Sequence, residues 1–246
     1  MAKFVYPEAK YFKEIIDSLS KIIDEVALQL KPQGLEIKAL DPARVALINI
    51  NIPNTVFLEY DVPEETVIGI STAFLSKVLK KVKKGDRFVL ESAEDFVKVT
   101  IESIGKRFYK FRNLEVPLPE IPEASFEFNV NAQLIVDPFK QAIKDAETVG
   151  NILEIEAPDD QTLYLRGRGV TIAETKLAVG MPALISLEVK EPSKSSYQID
   201  YLKYIIGLTK IAEVIVLKFS NKSPLELEFS FGESRLKYLM APLVEE

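Results

Sequence analysis

The 246-residue sequence predicts an α+β protein built from two similar domains, each with two helices packed on an antiparallel sheet. Three observations predict it. Shifted along itself by 127 residues, the sequence lays Phe12 on Phe139, Ile16 on Ile143, Leu75 on Leu202 and Val89-Leu90 on Val216-Leu217, the mark of a duplicated unit. Each half holds two stretches of helical apolar spacing among segments of strand-like alternation. Between the halves, Asn113 to Glu123 reads NLEVPLPEIPE, with prolines too dense for a central strand. The expected organisation is a domain over 1–113, a linker over 114–124 and a domain over 125–246.

The elements follow in order. Tyr11 to Ile23 places Phe12, Ile15, Ile16, Leu19, Ile22 and Ile23 on one helical face, with Pro7 near the first turn. Alternation predicts strands at Ala27–Leu30, Leu35–Ile37 and Val45–Ile52. A second helix opens at Ser71 and turns Phe74, Leu75, Val78, Leu79 and Val82 inward. Strands follow at Phe88–Leu90, Phe96–Ile101 and Arg107–Phe111. In the second half Asp137-Pro138 reads as an N-cap with proline at the first helical position, ahead of Phe139, Ala142, Ile143, Ala146 and Val149. Strands are expected at Leu153–Ile155, Leu163–Leu165, Val170–Thr175 and Leu184–Val189, then a helix from about Asp200 to Lys210 through Leu202, Ile205 and Ile206. Val214–Phe219 and Leu225–Phe231 complete the set, with turns such as Pro32-Gln33-Gly34 and Lys84-Gly85-Asp86 between strands.

Composition narrows the chemistry. With no histidine and no cysteine, the commonest near-neutral acid/base, the commonest zinc ligand and any thiol nucleophile are missing. Gly105-Lys106 is no phosphate-binding loop, because the first glycine of that motif would fall at Thr100. Asp41, Asp61, Asp159 and Asp160 are scattered carboxylates, and Asp159-Asp160 reads as a turn. The expectation is a protein that is not an enzyme and needs no cofactor or metal. No apolar run approaches the roughly 20 residues of a membrane-spanning helix, so a cytoplasmic protein without a membrane partner is expected.

The net charge of −6 argues against nucleic acid until its distribution is read. Taken as 7–23, 71–84, 137–149 and 200–210, the helices carry 12 Lys or Arg against 7 Asp or Glu, whereas the remainder carries 19 against 30. Lys77, Lys80, Lys81, Lys83 and Lys84 supply most of the contrast. A solvated outer helix face and a phosphate footprint both stay open as explanations. No aromatic residues interleave with these lysines, which favours a duplex backbone over a single strand.

The order repeat, linker, repeat resembles the DNA sliding clamps of the proliferating cell nuclear antigen family over essentially the whole chain. The motifs that carry the resemblance are Leu40-Asp41-Pro42-Ala43-Arg44-Val45-Ala46-Leu47, Leu75-Ser76-Lys77-Val78-Leu79-Lys80, the proline-rich linker and the tail Leu236-Lys237-Tyr238-Leu239-Met240-Ala241-Pro242. The stretch from Ser195-Ser196-Tyr197 to Tyr201-Leu202 looks closest to archaeal clamps. The resemblance implies the DNA-clamp fold, with three subunits closing a ring whose helices line a hole around duplex DNA without reading its sequence. It matches Lys13, Lys77 and Lys80 to the family's basic inner wall, and helix placement adds Lys81, Lys84, Lys140, Lys144, Lys203 and Lys210. It implies a pocket for short docking peptides of replication and repair proteins, formed by Leu40, Arg44, Val45, Leu47, Leu118, Pro224, Leu239, Ala241, Pro242 and Val244. Core packing is the competing reading of Val45 and Leu47. It implies edge-to-edge pairing of Lys106–Arg112 with about Val170–Lys176 of the next subunit, through Tyr109, Phe111, Thr171, Ile172 and Thr175. The implied partners are double-stranded DNA, sister subunits in a homo- or heterotrimer, a separate clamp loader and docking-peptide proteins at the nucleoid. Leu243, Asp200 and Gly207 depart from positions that are often basic in the family. A scaffold of the same fold that never encircles DNA is the alternative.

Overall fold

The computed structural model describes residues 1–93, 95–121 and 126–243. The chain divides into two compact units: Met1–Pro42 with Ile48–Ile121 and Phe231–Leu236, and Ala43–Leu47 with Pro122–Ser230 and Lys237–Glu246. The duplication is visible in the order of elements. In the first half, β1 (Lys3–Tyr6), α1 (Ala9–Leu19), β2 (Glu25–Lys31), β3 (Gly34–Leu40), β4 (Ala46–Pro53), β5 (Glu59–Asp61), β6 (Thr66–Ser71), α2 (Thr72–Leu79), β7 (Arg87–Ser92), β8 (Phe96–Glu102) and β9 (Lys106–Arg112) follow one another. The second half repeats that order with β10 (Val130–Ile135), α3 (Val136–Val149), β11 (Ile152–Ala157), β12 (Thr162–Arg168), β13 (Ile172–Ala178), β14 (Leu184–Val189), β15 (Ser193–Gln198), α4 (Ile199–Ile205), β16 (Val214–Phe219), β17 (Leu225–Phe231) and β18 (Ser234–Met240).

In the first unit the strands β5-β1-β7-β8-β9 form one sheet, and β4-β3-β2-β6 lie side by side. All the pairings within β5-β1-β7-β8-β9 are antiparallel, as are β2 with β3 and with β6. Helices α1 and α2 pack on each other. The apolar stripe of α1 buries Phe12, Ile15, Ile16 and Leu19, and Phe12 stacks on Phe88 of β7 at 4.4 Å between ring centres. Phe4 and Tyr6 from β1 close the same cluster, and burial pushes the Tyr6 phenol up to about 12.

In the second unit β14-β10-β16-β17 run side by side, and β13-β12-β11-β15 form a four-stranded sheet. Helices α3 and α4 pack on each other, and α3 lies across β12. That crossing explains Gly167: a Cβ there would stand 2.3 Å from the Ala146 Cα, so helix and strand meet at backbone distance. Gly69 is matched in the first unit, where a Cβ would lie 2.0 Å from the Leu114 carbonyl oxygen. Leu114, the first residue of the expected linker, forms a bridge with Gly69, whose amide also donates to the Asn113 side-chain oxygen at 2.9 Å.

Several local expectations are corrected. The N-cap of α3 is Ile135, not Asp137; Asp137 and Pro138 fall inside the first turn, where a missing N–H leaves no helical bond unmade. Phe74 is 40% exposed instead of inward, and its ring meets Phe111 of β9 edge-on at 5.3 Å. The first helix stops at Leu19, so Ile22 and Ile23 lie in the turn after it. The second stops at Leu79, and the Asp86 carboxylate accepts from the Lys83 amide to shape the turn that follows, with Gly85 at φ 87°.

Candidate nucleic-acid interface and docking surface

Helix ends position most of the candidate lysines. Ser71 caps α2 by accepting from the Phe74 amide, and Lys77 occupies the last turn. Lys80 is the C-cap, and Lys81 and Lys84 lie in the turn beyond it, exposed. Cations there also complement the negative end of the helix dipole. The charge sorting changes accordingly. At their observed boundaries the four α-helices hold six basic and six acidic residues, so the positive excess belongs to the segments that follow the helices.

The other lysines differ in how freely they can meet a phosphate. On α1, Lys13 binds Asp17 at 2.5 Å and Glu14 at 3.4 Å, and Asp17 also accepts from Ser76 of α2 at 2.6 Å. Partial burial pulls the Lys13 ammonium down, but the two carboxylates outweigh it and hold the group above the ordinary lysine value. Lys203 on α4 is held 2.6 Å from Glu147 of α3, whose hydrogen bond raises the lysine in the same sense. Lys140 and Lys144 stand one turn apart on α3, and Lys210 ends the 3-10 segment Ile206–Lys210. Among the described residues Lys77, Lys80, Lys81, Lys84, Lys140 and Lys144 form no ion pair.

The candidate docking residues of the second unit gather around its tail. Ala241 donates its amide to the Val45 carbonyl at 2.8 Å, and the Leu243 amide reaches the Ser196 carbonyl at 2.7 Å. Val45, Leu47, Pro224, Leu239, Ala241 and Pro242 are half-buried, and Arg44 is exposed at φ 57°. In the first unit Leu40 is half-buried at the end of β3 and Leu118 is exposed. Val244 lies outside the described residues.

The candidate subunit-pairing strands are both sheet edges, β9 of the first unit and β13 of the second. Tyr109 and Phe111 are half-buried on β9, whose other face exposes Lys106, Phe108, Lys110 and Arg112. On the second unit Thr171 is exposed just before β13, Ile172 is 68% exposed on it and Thr175 is half-buried.

Sequence reasoning missed one cluster. The Glu154 carboxylate of β11, only 2% exposed, receives Arg168 at 2.5 Å, Lys194 at 3.0 Å and Arg166 at 3.4 Å. Burial alone would push this carboxyl up, but the hydrogen bonds of Arg168 and Lys194 hold it below the ordinary value. Arg166 is shared with Glu156 and Glu174. The signal available was Arg166 and Arg168 alternating with Glu154 and Glu156 on neighbouring strand segments. Among the described residues no group of three or more Asp or Glu could hold a metal ion, and no helix is long and apolar enough to cross a membrane.

The family model for the N-terminal domain of proliferating cell nuclear antigen matches residues 1–117. DNA polymerase sliding clamp 1 of Aeropyrum pernix is 42% identical over 245 residues, covering 96% of this chain and 97% of that protein. The chain belongs to the proliferating cell nuclear antigen family. The DNA polymerase sliding clamp of Thermofilum pendens is 34% identical over 247 residues, with both chains covered in full. Among solved structures, this family member superposes on the proliferating cell nuclear antigen of Thermococcus kodakaraensis with a TM-score of 0.92 at 28% identity, covering 99% of this chain and 100% of the other. It matches a chain of the PCNA2–PCNA3 complex of Sulfolobus tokodaii with a TM-score of 0.93 at 27% identity and the same coverage. The duplicated α+β architecture read from the repeat, and the DNA-clamp fold implied by the resemblance, are therefore the observed ones.

Proposed function

We propose that this chain is a subunit of a DNA sliding clamp, three of which close a ring around duplex DNA and hold replication and repair proteins to it. One observation carries the reading. The Ala241 amide, just past the end of β18, donates to the Val45 carbonyl, just ahead of β4, and in the repeat order the counterparts of β18 and β4 are β9 and β13. Those counterparts are sheet edges of seven residues each. Pairing β9 of one subunit with β13 of the next would extend between chains the kind of contact that Ala241 and Val45 make inside the second unit. Such a head-to-tail interface propagates until it closes, and closure removes the exposed edges.

In this reading Lys13, Lys77, Lys80, Lys81, Lys84, Lys140, Lys144, Lys203 and Lys210 face the duplex. Contacts to phosphate from such side chains are independent of sequence and weaken with salt, which permits sliding. Topology, not affinity, keeps the ring on DNA. Peptides of polymerases, ligases and nucleases dock on Leu40, Arg44, Val45, Leu47, Leu118, Pro224, Leu239, Ala241, Pro242 and Val244 by inserting apolar anchors. The protein carries out no chemistry, needs a separate ATP-driven loader and works at the nucleoid.

The test is retention after loading, on closed circular and on linear duplex DNA of the same sequence. The expected outcome is slow loss from the circle and rapid loss from the free ends of the linear form. Equal loss from both would replace the ring with an interaction scaffold that does not encircle DNA.

A further inference from the structure

Beside the tail of the second unit lies a cavity of about 440 Å³, lined by Glu154, Arg168, Lys194, Lys222, Pro242 and Leu243, among others. Glu154 of β11 and Arg168 of β12 form part of its wall, and three further segments complete it. The edge of β15 supplies Lys194 to Ser196, the turn after β16 supplies Asn221 and Lys222, and the tail supplies Pro242 and Leu243. They are fastened together by hydrogen bonds: the Asn221 side-chain oxygen accepts from the Lys194 amide at 2.8 Å, and the Leu243 amide donates to the Ser196 carbonyl at 2.7 Å. The cavity is a fixed feature of the unit, not a gap between loose ends.

Its charge is unbalanced. Arg168, Lys194 and Lys222 line it against one carboxylate, Glu154, whose oxygens are already occupied by Arg168, Lys194 and Arg166. Lys222 forms no ion pair among the described residues and stands exposed at φ 48° in a turn closed by Ser220 and Ser223. Two of the lining residues, Pro242 and Leu243, continue the tail that the docking reading uses, and Lys222 is two residues from Pro224. A chain segment anchored at Pro224 and Pro242 therefore runs its neighbouring residues past these cations.

Building on that docking reading, we propose that this cavity selects partner peptides carrying aspartate or glutamate next to their apolar anchor. The mixed lining favours a peptide over nucleic acid. A phosphate diester brings no apolar group for Pro242 and Leu243, and the Glu154 carboxylate opposes dense negative charge. Carboxylate side chains spaced along a peptide meet Arg168, Lys194 and Lys222 one at a time.

Fluorescence anisotropy of the full chain tests this with labelled synthetic peptides that share an anchor of two adjacent phenylalanines. The flank, placed before or after the anchor, is Asp-Glu-Asp, Lys-Lys-Lys or Ser-Ser-Ser. One acidic placement should bind about fivefold tighter than its lysine counterpart, the effect of a few partly exposed ion pairs. Lys222→Glu should reverse that order and leave the serine-flanked peptide unchanged, which also shows that the variant is folded. Equal binding of all flanks, or a preference untouched by Lys222→Glu, would overturn the proposal and leave docking intact. Failure of every peptide to bind would overturn docking and this proposal together. Displacement of the acidic peptide by a duplex oligonucleotide from the wild type but not from Lys222→Ala would assign the cavity to phosphate instead.

Discussion

Glu154 shows how much one side chain can organise. It is a buried carboxylate with three cationic neighbours, and deleting one member of such a group leaves the others with unmatched charge. Glu154→Ala should lower the unfolding free energy by about 2 kcal/mol, read from urea denaturation at neutral pH. The pH dependence has a definite sign. Because the folded carboxyl titrates below its ordinary value of 4.5, the unfolded chain binds its proton first, and the stabilisation is full above that value and lost as the pH falls through the lowered one. Wild type and Glu154→Ala should therefore converge in stability on acidification. A constant gap down to the acid transition would mean that the carboxylate contributes through packing alone.

At the scale of elements, the glycine-mediated contact of α3 with β12 sets a steric limit. Gly167→Ala forces helix and strand apart at Ala146 and should cost about 2–3 kcal/mol by the same denaturation measurement. What the sequence made legible is explained at this scale too. Helices with a full apolar stripe, such as α1 with Phe12, Ile15, Ile16 and Leu19, stand out because burial repeats with the helical period. Strand β15 escaped because Ser193, Ser195 and Ser196 are buried polar residues, with the Ser193 and Ser195 hydroxyls donating to the Glu191 and Ser223 carbonyls and the Ser196 carbonyl accepting from the Leu243 amide, so no hydrophobic alternation marks it. Strand β1 escaped because it is four residues long, too short for a period to declare itself. Helix ends were overextended for a related reason: the lysines beyond Leu79 continue the polar face of α2, and only the capping geometry ends it. The docking residues were reachable only through the resemblance, since half-buried apolar side chains such as Val45 and Leu47 read as core in the sequence.

For the whole molecule the proposed assembly rests on β9 and β13. Ile172→Asp alters an exposed side chain on β13, so the monomer should keep its stability within about 0.5 kcal/mol. Association, measured by sedimentation velocity alone and with candidate sister subunits, should be lost. Unchanged association would remove β13 from the proposed interface. The strong family match and the repeated element order agree with a protein whose task is geometric, and the missing histidine and cysteine are no handicap to such a task.

Strand β9 carries Lys106, Arg107, Lys110 and Arg112 and no carboxylate. Laid against another copy of itself, it would bring cations together with no carboxylate on the strand to offset them, which disfavours two-fold dimers through this edge. The pairing of unlike edges is favoured by comparison, and in the proposed assembly every subunit added in that sense would point the same way. The proposed assembly thereby acquires a front and a back, so that enzymes arriving from opposite directions along a duplex would not meet the same surface.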